Sequence, residues 1–465
     1  MITSAAPADL RRSVEHALLS RSVSREHGFE PLRVDGTLPP DLRGTLLRNG
    51  PGQFEIFGRR IAHSFEADGL ITAVRFDGAR ALGACRLTAS AGRAAEQAAG
   101  RMLYGTALPW HRRFHNGLRG RQKNTANTNV VAWQGRVLAL MEAARPTELA
   151  IGDTDLATVG ETDLGVIGAA FSAHPHRVAA RRARYNFGVE YGRKTRIVLY
   201  ELPDVGAARR LGEVDLGFAP MLHDFIATAR HLVFFVSPAA VHVPRMLLQL
   251  GDFRELFRWQ PERGTEVIVV PIDLPTQVTR FSVDAFHQWH FANAFERGRE
   301  LVVDYVRYPN FDTFATLAGD PLTTTDALGG TLHRATIDVA ARRFTTEPLL
   351  DRAVEFPRLH PDREGEAHAV TWLAADELRT VLGYRADGAH REFRFAAHEA
   401  ISEPVFVPRG TDEADGWVLT LVYDHQRETS SLAILDGARL DDGPVARAWF
   451  DHHVPVTFHG SWLAG

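Results

Sequence analysis

The run NVVAWQGRVLALME, Asn129–Glu142, sets the pattern of this chain. Two short stretches of Val, Leu, Ala and Trp flank Gln134-Gly135, a pair suited to the left-handed dihedrals of a two-residue hairpin turn. Working outward, runs of the same kind recur along the whole sequence: RIVLYEL (Arg196–Leu202), HLVFFVSP (His231–Pro238), TEVIVVPI (Thr265–Ile272), LVVDYVRY (Leu301–Tyr308), TVLGYR (Thr380–Arg385) and GWVLTLVYD (Gly416–Asp424). Each is short, rich in β-branched and aromatic residues, and bounded by Gly, Pro, Asp or Asn. Helical periodicity is confined to Asp9–Ser20, Ala91–Gly100 and Arg245–Arg258. The pattern predicts an all-β chain. No Pro/Gly/Ser-rich linker or change of composition divides it, so residues 1–465 are expected to form one domain.

Composition narrows the function classes. With 45% hydrophobic residues in 465, the chain has ample material for a large core. A formal net charge of −4 and only short basic runs give no general attraction to a phosphate backbone, so nucleic acid is not an expected partner. With Cys85 as the single cysteine, the sequence predicts no intramolecular disulfide, no thiolate zinc site and no iron–sulfur cluster, and any metal is expected on oxygen and nitrogen ligands. The segment MITSAAPADLRRSVEHALLSRS has no apolar stretch long enough for a signal sequence or a membrane span, which predicts a cytoplasmic protein.

Of the 21 histidines, most sit in polar or charged stretches, but four have distinctive neighbourhoods: His174 in FSAHPHRV, His223 in MLHDFIAT, His290 in FHQWHFANAFE and His459 in TFHGSWLAG. Neutral imidazoles from four separate segments can converge on one ferrous ion and leave coordination positions open for dioxygen or substrate. The four are separated by 49, 67 and 169 residues, so each must come from a different supersecondary unit. Among large all-β architectures, a β-propeller offers an axis where strands from several units meet, whereas a solenoid offers no such point.

The segments LLRNGPG (Leu46–Gly52), HSFEADGL (His63–Leu70), NTANTNVV (Asn124–Val131), SAHPHRV (Ser172–Val178), HDFIAT (His223–Thr228), FANAFE (Phe291–Glu296), EFPR (Glu355–Arg358), SEPVFVPRG (Ser402–Gly410), GWVLTLVYD and FHGSW (Phe458–Trp462) together resemble the carotenoid cleavage oxygenase family. They run in the family's order over nearly the whole chain. The resemblance implies a seven-bladed β-propeller with helices and loops forming a dome over one face, a non-haem Fe(2+) on the axis, and cleavage of a conjugated double bond by dioxygen. Carried over motif by motif, it makes His174, His223, His290 and His459 the iron ligands. His290 is preferred to His287 because it precedes the Asn293-Ala294 pair by the family's three residues. His287 is then a pocket or core residue. The same resemblance makes Glu142, Glu355 and Glu403 the acceptors of the other ring N–H of three of these histidines, and Thr128 a small residue crowding one open position on the metal.

The implied substrate is an apolar polyene, held in a tunnel for which Phe65, Met141, Phe171, Met221 and Trp289 are candidates. Relatives that cleave stilbenes carry a phenol-contacting lysine immediately before the first of these glutamates. This chain has Met141 there, and a thioether cannot ionise or grip a phenol, which favours a carotenoid or apocarotenoid over a stilbene. A non-catalytic propeller scaffold is the alternative of a different class. The segment Pro238–Trp259, with Met246, Leu247, Leu248, Leu250, Phe253, Leu256 and Phe257 among three arginines, fits a surface making peripheral membrane contact around a tunnel mouth. Two departures from the family pattern, Ala67 in FEADGL and the absence of an aromatic residue in Cys85–Gly100, bear on the substrate entrance rather than the metal.

Overall fold

The structure, a computed structural model, describes residues 21–316 and 329–465, so the helix expected at Asp9–Ser20 lies outside the described residues. The described residues are mostly β-strand. The founding hairpin forms as its sequence predicts. Strands Asn129–Trp133 and Arg136–Leu140 pair from Asn129 opposite Leu140 to Trp133 opposite Arg136. Gln134 and Gly135 take φ of 48° and 76°, the two positive values a tight hairpin turn requires. Thr147–Ile151 and Leu156–Glu161 extend the pair to a four-stranded antiparallel sheet.

Two more four-stranded antiparallel sheets follow, one from His176–Val178 to Arg209–Leu216, the other from Ile226–Ala227 to Thr279–Val283. A seven-stranded sheet then runs in chain order from Phe291–Arg297 to His390–Arg394. Its fourth strand, Arg343–Arg358, is 16 residues long. It pairs with Gly330–Asp338 up to Val354, then turns to Val370–Ala375, with an irregular register between Glu355 and Arg358 and a positive φ of 54° at Phe356. Beside two short two-stranded sheets, a six-stranded and a five-stranded sheet interleave the two ends of the chain. Arg33–Gly36 lies on Pro444–Trp449, and the final strand His459–Ala464 pairs with Arg43–Gln53.

Sheets covered on both faces need strands that are apolar throughout rather than alternating. Gly416–Asp424 shows this directly, since all nine residues are buried. Between neighbouring sheets the core is aromatic and aliphatic; Phe187 and Phe234, for instance, meet edge to face at 5.4 Å.

Helices are few. Ala91–Ala99 forms as expected, with Ser90 accepting from the Arg93 N–H at its start and Gly100 in the left-handed conformation at its end. The expected piece Arg245–Arg258 is not one helix. A helix over Val243–Leu248 stops at Gln249, in the left-handed conformation, and Gly251 has φ 76°. Asp252 then caps a separate 3-10 turn, Phe253–Leu256, and Phe257–Trp259 is a strand. The left-handed residues and the Asp252 cap outweigh the apolar periodicity. A further helix, Trp110–Leu118, lies outside the three helical stretches expected from sequence, although Trp110, Phe114 and Leu118 recur at its four-residue spacing.

Candidate metal centre

Each of the four singled-out histidines stands at the entry to a strand on the edge of its own sheet. His174 precedes His176–Val178, His223 precedes Ile226–Ala227, His290 immediately precedes Phe291–Arg297, and His459 opens His459–Ala464. Four edges from four sheets therefore deliver four buried rings to one place, with a ligand atom from each lying within 4.8 Å of every other. The closest approaches are Nε2 to Nε2: 2.9 Å between His174 and His223, and 3.1 Å between His290 and His459.

The opposite ring nitrogens face carboxylates. His223 Nδ1 lies 2.7 Å from Glu142 Oε1, His290 Nδ1 2.5 Å from Glu355 Oε2, and His459 Nδ1 2.9 Å from Glu403 Oε1. A ring that donates Nδ1–H to a carboxylate presents an unprotonated Nε2. His290 and His459 thus turn two lone pairs toward each other at 3.1 Å, an arrangement that calls for a cation between them. The spacing also fits one: metal–nitrogen bonds of about 2.0–2.1 Å at right angles put the nitrogens about 3 Å apart. These four histidines could hold a metal ion.

Electrostatics favour the neutral ring at His174 and His459 and the charged ring at His290. Burial, then the neighbouring imidazoles, keeps His174 far below its ordinary value. Burial pulls His459 down to about 4 even against Glu403. At His290 burial also disfavours the charge, but Glu355 outweighs it and the value rises. Burial pushes the glutamates the other way, yet their partners win. His223 holds Glu142 low, and His290 does the same for Glu355. Arg358, His459 and Arg48 hold Glu403 well below the usual carboxylate range.

Three residues that the sequence reading gave no role support this framework. Buried Arg48 donates to Glu403 Oε2 at 2.5 Å and to the Phe458 carbonyl at 2.8 Å, fixing both His459's carboxylate and its backbone. Asn49 Nδ2 donates to the Ala126 and Asn129 carbonyls, pinning the loop that carries Thr128. Asp224 ties three ligand segments together: it accepts from the Phe225 N–H beside His223, from the Phe291 N–H beside His290, and from His176 Nε2 two residues after His174. Leu46–Gly52 and His223–Thr228 were quoted as motifs, but an arginine, an asparagine and an aspartate give no sign in sequence of which distant groups they will meet.

Thr128 is buried beside the centre. Its hydroxyl donates to Glu142 Oε2 at 3.4 Å and its carbonyl accepts from the His459 N–H at 3.2 Å. His287 is also buried, but its ring stands edge-on to Trp289 at 4.6 Å and Phe311 at 4.8 Å, outside the group of four. A cavity of about 500 Å³ begins at Phe65, Met141 and Glu142 and continues past Met221 to Met246, Leu250, Phe253 and Phe257. The Phe65 ring is parallel to that of His223, 6.4 Å away. Two of the five tunnel candidates do not line this cavity. Phe171 is packed at 1% exposure in the core with Tyr200, and Trp289 stands behind His223, its Nε1 donating to Thr313. Both lie in the loops that lead into His176–Val178 and Phe291–Arg297, where packing on Tyr200 and on Phe311 takes the rings away from the cavity wall. A second, more polar cavity of about 230 Å³ reaches His174, His290 and His459 past His176, Arg184 and Glu364.

A mostly β protein in which four sheet edges present four imidazoles, three of them backed by carboxylates, belongs to the class of metal-dependent proteins with an all-histidine centre. A family model described as retinal pigment epithelial membrane protein matches residues 20–464. The apocarotenoid-15,15'-oxygenase of Synechocystis is 33% identical over 92% of both chains. Lignostilbene-alpha,beta-dioxygenase isozyme III of Sphingomonas paucimobilis is 26% identical over 93% of both. The cobalt-substituted Synechocystis enzyme superposes with a TM-score of 0.88 at 31% identity, covering 99% of each chain. This chain belongs to the carotenoid cleavage oxygenase family. Solved mutants of the Synechocystis enzyme alter a threonine, a tryptophan thirteen residues further on, and the glutamate that follows it. Thr128, Met141 and Glu142 repeat that spacing, with methionine in the tryptophan's place.

Proposed function

We propose that this chain is a non-haem iron(II) dioxygenase that cleaves a conjugated carbon–carbon double bond of a carotenoid or apocarotenoid to aldehyde or ketone products. The observation that carries the reading is the set of four Nε2 atoms facing one point beside a cavity walled by Phe65, Met141, Met221, Met246 and Phe253. We take His174, His223, His290 and His459 as the iron ligands, on a seven-bladed β-propeller of one domain. The four-stranded sheets supply single blades, and the seven-stranded sheet two, sharing the bent strand Arg343–Arg358.

His174, His223, His290 and His459 would hold iron(II), which when bound would supply the activation of dioxygen. The protein's own groups do the rest. Glu142, Glu355 and Glu403 hold the Nδ1 protons, so that each Nε2 stays a lone-pair donor in a fixed orientation. Thr128, seated on Glu142, restricts one approach to the centre. The apolar cavity excludes water and aligns a polyene by shape, and Met141 offers no charge to a phenol.

The cavity wall includes Gly117, Met246 and Leu250, and around it stand the exposed apolar residues Trp110, Leu118, Val243, Leu247 and Leu248. Trp110 Nε1 donates to the Leu248 carbonyl, joining the two short helices into one apolar surface. We read it as the place where the protein dips into a lipid interface to collect its substrate. No helix among the described residues is long and apolar enough to cross a membrane.

The test is to incubate iron-loaded protein, under oxygen, with an apocarotenal and separately with a hydroxylated stilbene, and to identify products by mass spectrometry. Aldehydes from the apocarotenal are expected. Cleavage of the stilbene alone would reverse the substrate assignment, and failure to bind iron would leave a scaffold.

A further inference from the structure

A second buried group shares no residue with the four-histidine centre. The ligand atoms of His27, Cys85 and His452 all lie within 4.8 Å of one another. His27 and Cys85 face each other across the paired strands His27–Pro31 and Ala81–Leu87. His452 arrives from the segment that follows Pro444–Trp449, a strand of the neighbouring sheet. All three side chains are buried, at 7%, 0% and 8% exposure. The two rings meet edge to face at 5.1 Å.

The proton positions follow from the partners. His27 Nδ1 is 2.8 Å from the Gly28 carbonyl, which can only accept, so that nitrogen carries the hydrogen. His452 Nδ1 likewise donates to Asp451 Oδ1 at 2.8 Å. Both Nε2 atoms are then unprotonated acceptors, and both are buried with no hydrogen-bond partner among the described residues. Cys85 Sγ is 3.7 Å from Thr72 Oγ1. One thiol hydrogen could satisfy one of the two lone pairs, never both, and an unsatisfied buried acceptor is unfavourable.

We propose that His27, Cys85 and His452 bind zinc(II), as a clamp between the sheet of the first described strand and the sheet of Pro444–Trp449. One thiolate and two imidazoles suit a borderline-soft ion and not magnesium, calcium or manganese. As zinc binds, the S–H proton leaves to solvent and a Zn–S bond replaces it, with the two Nε2 lone pairs completing three coordination positions. Bonds of about 2.0–2.1 Å to nitrogen and about 2.3 Å to sulfur need donors roughly 3.3–3.6 Å apart. The group reaches that spacing by small side-chain rotations, leaving the fourth position for a small ligand.

Because Cys85 is the only cysteine, sulfur is a tracer for this site alone. Full-length protein whose four-histidine centre is already loaded with iron(II), kept anaerobic, is titrated with cobalt(II) while its absorption is followed. A thiolate-to-cobalt charge-transfer band in the near ultraviolet is expected, saturating at about one equivalent, abolished by added zinc and absent in Cys85→Ala and His452→Asn. Zinc-edge X-ray absorption of the zinc-loaded wild type should show one sulfur neighbour at about 2.3 Å. Cys85→Ala keeps its iron and its cleavage activity. Absence of the charge-transfer band under excess cobalt, or a zinc spectrum with nitrogen neighbours only, overturns the proposal, and both are read on wild-type protein without relying on either variant to fold.

Discussion

Glu403 does more than orient His459. It also accepts from buried Arg48, from Arg358 at 3.5 Å and from the Gly460 N–H, so one carboxylate neutralises charge and anchors the C-terminal strand. Glu142, by contrast, meets His223 and the Thr128 hydroxyl. Glu403→Gln and Glu142→Gln should each weaken metal binding by about 10–100-fold in competition dialysis. Only Glu403→Gln leaves a buried guanidinium without its counter-charge, and urea unfolding should show it less stable by about 3–5 kcal/mol. At the third ligand, His290→Ala should lose bound iron while His287→Ala, whose ring faces Trp289 and Phe311, retains it; iron content by mass spectrometry decides, and the reverse result moves the ligand to His287. His63 gives a pH dependence away from the metal. Burial lowers it from 6.5 to about 3, and it sits neutral, accepting from the Phe65 N–H and donating to the Phe314 carbonyl. Below pH 6.5 the unfolded chain takes up a proton that the folded ring refuses. The stability supplied by the neutral ring is therefore complete above 6.5 and is lost as pH falls toward 3, at up to about 1.4 kcal/mol per unit. In urea unfolding between pH 7 and 4, the stability gap between wild type and His63→Asn should narrow steadily as pH drops.

Among the elements, the exposed helices Trp110–Leu118 and Val243–Leu248 present the surface assigned to lipid. Leu247 is 65% and Leu118 73% exposed, and these are the side chains that the proposed lipid contact would cover. Leu247→Glu with Leu118→Glu should reduce co-sedimentation with phospholipid vesicles severalfold and slow turnover of vesicle-borne apocarotenal, while leaving turnover of a detergent-solubilised substrate and the melting temperature unchanged. Equal vesicle binding by the double variant would show that the surface does not face lipid. The strands were legible in sequence where apolar runs end in turn residues, as at Gln134-Gly135, and the four clustered histidines were legible from their neighbourhoods, a following proline, an aspartate, an Asn-Ala pair and a Gly-Ser-Trp. Three things were hidden. WHRRFHNGL carries its stripe on only three apolar residues, Trp110, Phe114 and Leu118, over two turns, and the left-handed residues at Gln249 and Gly251 split what periodicity alone made one helix. Arg48 and Glu403 are 355 positions apart, and only the closed fold makes them neighbours.

At the scale of the whole molecule, the centre and the closure of the fold depend on one strand. His459–Ala464 pairs from Gly44 opposite Ala464 to Asn49 opposite His459, so the chain's last strand completes the sheet begun near its start while its first residue supplies an imidazole. Zinc or iron bound only by the folded state adds stability by mass action, about 2.7 kcal/mol at 100 times its dissociation constant. Metal removal by chelator should therefore lower the melting temperature by several degrees without unfolding the protein, and re-addition should restore it. Two alterations then separate metal binding from closure. His459→Ala removes the ligand but leaves the strand's backbone ladder, so this variant should stay soluble and cooperative, with a melting temperature close to that of the chelated wild type. Deletion of residues 459–465 removes ligand and ladder together. It leaves Arg43–Gln53 as an unpaired edge and makes Phe458, whose carbonyl accepts from Arg48, a free chain end. That protein should aggregate on expression whatever the metal supply. If instead the truncated chain folds and melts like His459→Ala, the two ends are not what closes the structure.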